Sequence, residues 1–149
     1  MLGRKDYTRE EIDNARAAVR RQLAAYDNIA SAAGDEPTGT KVRAALEPFE
    51  ALFFNNMVVV LDRYFVHRIR PVTGKDGNPL NEVELLCDSL INNNGVFRGN
   101  NVIKYVPEKS VLQTGIGDVI QLTQEDFRRL AAAFFADLES KFLAVETNA

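Results

Sequence analysis

The sequence predicts a mainly α fold: a single-domain helical bundle of about four main helices, with a small β-hairpin or irregular insertion near 102–122. Three observations carry this. Apolar residues recur at helical spacing through long segments, and three of these begin at a capping residue or a proline. Turn formers cluster between those segments rather than inside them. The chain has 149 residues, 46% hydrophobic and 26% charged, which suits one soluble core without a second domain.

Residues 1–7 are polar and expected to be flexible. Thr8-Arg9-Glu10-Glu11 fits a capping box, in which the Thr8 hydroxyl accepts from the Glu11 amide and the Glu11 carboxylate reaches back. Ile12, Ala15, Val19, Leu23, Tyr26 and Ala30 then follow helical spacing, predicting one amphipathic helix over 8–31. Arg16, Arg20 and Arg21 lie off that seam and read as a solvated face. Ala33 to Gly39 collects Gly and Pro and reads as a loop.

Helix returns from Thr40, and Pro48, lacking an amide hydrogen, is expected to kink or restart it, giving pieces 40–47 and 48–69. From Leu46 onward, Leu46, Phe49, Phe53, Met57, Val60, Leu61 and Tyr64 gather on one broad face, the expected core side. Three consecutive valines in Met57–Leu61 also allow a strand, but helical spacing continues on both sides. Pro71 to Pro79 is a turn-rich connection. Pro79 suits the first turn of a helix over 79–93, with Val83, Leu86, Cys87, Leu90 and Ile91 on one side and Asn94-Gly95 as a left-handed stop. Val102–Val106 and Val119–Leu122 are β-prone and supply the hairpin. Thr123 caps a last helix over 124–144, with a stripe of Phe127, Leu130, Phe134, Leu138 and Phe142. Residues 145–149 are expected to form a flexible tail.

Composition narrows function mostly by exclusion. A net charge of −3 and a pI near 5.2 give no global field for nucleic acid. The single Cys87 allows no internal disulfide and suits a reducing cytoplasm. No secretory signal is read, and Asn55, Asn56, Asp62 and Arg63 break the apolar run that a membrane span would need. With one His and one Cys, neither a zinc site of several ligands nor a paired Glu-x-x-His di-metal centre can form within one chain, so no metal or other cofactor is expected. Thr73-Gly74-Lys75-Asp76 lacks the glycine spacing of a phosphate loop, Gly115-Ile116-Gly117 lacks a third glycine, and Cys87 stands where a calcium loop needs its glutamate. All three read as turns. A Cys87–His67 nucleophile pair is disfavoured because Cys87 sits on an apolar stripe.

What remains is polar. Asn56, Arg63, His67 and Arg70 fall within about 60° of one another on the predicted 48–69 helix and its end. An antiparallel partner helix would bring Arg63, His67 or Arg70 near Glu82 or Asp88. The plain reading is an interhelical network of ion pairs. The functional reading is a pocket for a small anion or carboxylate lined by Arg63, His67 and Arg70, because guanidinium forks match such groups. The leading expectation is a non-enzymatic cytoplasmic protein acting through homo-oligomerisation, partner interaction or ligand binding, with Phe54, Val58 and Phe65 available to the fold or to a second copy. A small-molecule enzyme using His67 as acid or base is the alternative, and it needs Glu82 or Asp88 to orient the imidazole.

The run from Phe65 to Leu90, with Glu108–Leu112, Gly117–Phe127 and Ala133–Phe142, resembles a family of small actinobacterial proteins of unassigned function. The resemblance covers most of the chain and implies a bacterial cytoplasmic setting but no chemistry. Twelve Arg against six Lys is compatible with a GC-rich genome.

Overall fold

A computed structural model describes residues 3–34 and 39–145. Among the described residues five α-helices occur in order: α1 (Arg9–Ala33), α2 (Gly39–Tyr64), α3 (Arg70–Thr73), α4 (Pro79–Asn92) and α5 (Gln124–Phe142). The mainly helical bundle is thus the architecture observed, with α3 a single turn.

Local chemistry fixes the helix starts. Both halves of the Thr8–Glu11 capping box form, as does a second box between Thr123 and Asp126 that opens α5. Asn78 caps α4 through its side chain, accepting from the Asn81 amide, with Pro79 directly behind it. α4 ends at Asn92, and just beyond it Asn94 and Gly95, with φ angles of 55° and 76°, supply the left-handed stop.

α2 corrects three expectations. It runs unbroken through Pro48, because the turn preceding the proline is exposed and water can satisfy the carbonyl that loses its donor. It ends at Tyr64 instead of 69. Its buried face is also rotated: Phe54, Met57, Val58, Leu61 and Phe65 are in the core, whereas Phe49 and Tyr64 are exposed. A helix apolar almost all round carries too little periodicity to choose its own inner face. Phe54, Val58 and Phe65 are therefore consumed by the fold. Thr40–Tyr64 does pass as a membrane span by length and composition, through an 18-residue window with a mean hydropathy of 1.3, of which 22% is buried in this fold.

α2 packs against α1, α4 and α5, and aromatic rings bind the layers together. Tyr26 of α1 stacks on Phe53 and meets Phe54 edge-on, Phe54 reaches Phe127, and Phe65 reaches Phe134 and Phe135. Within the N-terminal segment, residues 4 and 7 bond to the rest of the fold. Tyr7 is buried, its amide donates to Phe142 O at 2.7 Å and its hydroxyl to Val66 O at 3.1 Å. Residues 1–2 and 146–149 lie outside the described residues.

The expected hairpin does not form, and no strand occurs among the described residues. Each β-prone segment finds another partner. Lys104 N donates to Lys75 O, while Ile120 N donates to Gly95 O and Phe97 N to Asp118 O. Asn55 of α2 completes the substitution: its Nδ2 donates to Ile120 O at 2.8 Å and its Oδ1 accepts from Leu122 N at 3.1 Å. One side-chain amide thus does the work of a neighbouring strand. The 96–122 segment wraps α4, so Leu80, Val83, Leu85 and Leu86 are all buried while Ile91 stays exposed.

Candidate functional site

The polar residues expected on one helical stripe do not share a helix, because α2 ends before His67. His67 turns the chain with a φ of 66°, a left-handed conformation that histidine tolerates better than branched residues. Its carbonyl accepts from Arg4 N at 2.6 Å, and Ile69 N returns a bond to Arg4 O at 3.0 Å. The chain is thereby pinned against the N-terminal segment before α3 begins.

Around this turn is a cavity of about 210 Å³, lined by Asp62, His67, Arg68, Arg70, Thr73 and Glu84 among others. Of its paired charged residues Arg68 is the most deeply placed, its side chain 7% exposed. It donates to Asp62 Oδ1 at 2.9 Å and to Phe65 O at 2.8 Å, lies over the Phe134 ring, and leaves its buried Nε without a partner. Arg70 reaches both Glu84 oxygens, at 3.0 and 2.8 Å, and also Asn81 Oδ1 and Gly74 O. Each guanidinium already has a carboxylate, so the cavity holds two neutralised pairs and the exposed His67 ring. Burial pushes the adjacent Cys87 thiol up to about 11, with the Asp62 carboxylate adding to the effect.

Of the six residues singled out from sequence, this cavity brings together His67 and Arg70 only. Asn56 and Arg63 are exposed on α2, and Arg63 forms no ion pair among the described residues. Asp88 pairs with Arg98 at 3.5 Å and accepts from Asn92 at 2.8 Å. Glu82 is 1% exposed and faces the other way, accepting from Val111 N at 2.8 Å and Leu112 N at 2.9 Å. Burial raises its carboxyl above the usual range, and the two amides partly offset that. Arg70 therefore meets Glu84 rather than Glu82 or Asp88. Reasoning along a helix missed Arg68. Its signal was the Arg68-x-Arg70 spacing, which shares one side only in an extended segment.

Two other surfaces stand out. A groove of about 370 Å³ lies between α1 and α5, with Arg16, Arg20 and Arg128 around an apolar floor. The N-terminal half of α2 presents Val42, Phe49 and Leu52 outward. No group of three or more His, Cys, Asp or Glu side chains that could hold a metal occurs among the described residues.

No family model, curated protein or solved structure matches this chain.

Proposed function

We propose that this protein acts by association, with a second copy of itself meeting the N-terminal half of α2. The observation that carries the reading is the exposure of Val42 (42%), Phe49 (44%) and Leu52 (70%) along one helix. With the exposed Ala45 they recur at helical spacing and form one seam, flanked by Leu46 and Phe53, which pack against the core. That seam is self-complementary. Laid antiparallel on its copy about residue 47, Val42 meets Leu52 of the second copy and Ala45 meets Phe49. A two-fold contact requires such a match of one patch with itself. Ile29 of α1, one turn beyond the Tyr26–Phe53 stack, is also exposed and widens the patch. Contiguous exposed apolar side chains of this kind mark interaction surfaces.

Light scattering over micromolar concentrations tests this. The parent chain is expected at twice its 16.6 kDa mass, and Leu52→Glu at the monomer mass with an unchanged helical spectrum. A monomeric parent at every concentration removes the proposal.

A second reading is supported by the cavity at His67, Arg68 and Arg70. A small polar ligand bearing a carboxylate could exchange with Glu84 on Arg70, as the sequence suggested for an anion pocket. The enzymatic form of this reading is weaker, since Glu82 and Asp88, the carboxylates expected to orient His67, are engaged elsewhere. Thermal shifts with acetate, phosphate and sulfate in the parent and in Arg70→Gln would test it. A parent stabilised by none of them discards this second reading.

A further inference from the structure

The α1–α5 groove combines features that a merely solvated helical face would not. Its floor is apolar, made by Val19 and Leu23 of α1 with Ala131 and Phe135 of α5. Ala132 and Ala136, both exposed, keep the side toward solvent open because neither has a side chain long enough to close it. Three guanidinium groups, Arg16, Arg20 and Arg128, edge this apolar floor, against one lining carboxylate, Glu139. Glu139 is already held by Arg9 and Arg16, which lower its carboxyl below the usual range. Arg16 also lies over the Phe135 ring, 4.9 Å from its centroid, and Arg128 pairs with Asp27 at 2.6 Å. Arg20 has no hydrogen-bond or ion-pair partner among the described residues. An apolar trough with one uncommitted guanidinium at its edge matches a ligand that is apolar along its length and anionic at one end.

Volume decides the size of that ligand. The groove offers about 370 Å³. Small-molecule sites begin at about 300 Å³. We infer that this groove binds an amphiphilic monocarboxylate, its alkyl chain lying on Val19, Leu23 and Phe135 and its carboxylate on Arg20. This site is separate from the α2 seam and does not rest on it.

Titration calorimetry with acetate, hexanoate, octanoate and decanoate, all below their micelle concentrations, tests the inference. The dissociation constant is expected to fall about two- to fourfold for each added CH₂ that is buried, then level off when the trough is full. Arg20→Ala is expected to weaken octanoate at least fivefold while leaving octanol unchanged. Ala132→Trp, which fills the opening from an exposed position, is expected to abolish binding of both, with circular dichroism unchanged. Two results would each overturn the inference: decanoate binding no tighter than acetate, or octanoate binding Ala132→Trp as well as it binds the parent.

Discussion

Arg68 donates to the Asp62 carboxylate at 2.9 Å, closing the chain back onto the last turn of α2 just after that helix ends. The pair is largely removed from water, and its guanidinium lies 5.4 Å from the centroid of Phe134. It joins the end of one core helix to the middle of another. Removing one partner would strand the other charge.

Arg68→Ala is therefore expected to destabilise the fold by about 3–5 kcal/mol. Arg63→Ala, five residues earlier but exposed, should stay within about 0.5 kcal/mol of the parent. Urea unfolding of the two variants side by side checks the contrast. Equal losses would mean that Arg68 is not a buried partner.

Glu82 ties the 107–113 segment to α4 through two backbone amides. Glu82→Ala leaves both without an acceptor in a half-buried setting, at a cost of about 2–4 kcal/mol. Hydrogen exchange at Val111 and Leu112 should speed up more than exchange in α1. Uniform change across the chain would contradict the tie.

Glu11 titrates far below its ordinary value of 4.5, at about 2, chiefly because Arg4 donates to it and then because the Thr8 amide does. A depressed carboxylate stabilises the fold above 4.5, and this contribution is lost as pH falls from there toward 2. The pair is more than one-third exposed, so its share is under about 1 kcal/mol. Carbon NMR of the Glu11 carboxyl should show the low midpoint. The stability gap between parent and Glu11→Gln should close by pH 2, and a gap that is independent of pH would refute the assignment.

Cys87, with its thiol pushed up to about 11, should be nearly inert at pH 8. Its thiolate fraction there is on the order of a hundredfold below that of a free cysteine. Iodoacetamide labelling should be slow in the folded protein and ordinary in urea. Equal rates in both would place the thiol in contact with solvent.

Caps, turns and one-sided amphipathic patterns were legible in the residues, because each depends on groups three or four positions apart. The Thr8–Glu11 box, the Pro79 start of α4 and the phenylalanine stripe of α5 all formed where local chemistry put them. The candidate site was less legible. It hung on extending α2 to residue 69, whereas the helix stops at Tyr64 and the Arg4–His67–Ile69 bonds fix the next turn. Those partners lie some sixty positions apart in the chain, and nothing near His67 announces them.

The sequence by itself determined that the chain is a helical bundle, where its capped helices start, and that its polar residues cluster beyond the centre of α2. Tertiary structure alone decided which face of α2 turned inward and where the β-prone segments found hydrogen bonds. It also made Arg68 and Glu84, rather than Arg63 and Glu82, the residues that meet beside Arg70. The reason is one of range. Periodicity records bonds within a turn, but an apolar helix and an unpaired backbone segment take their orientation from whatever distant surface buries or bonds them best.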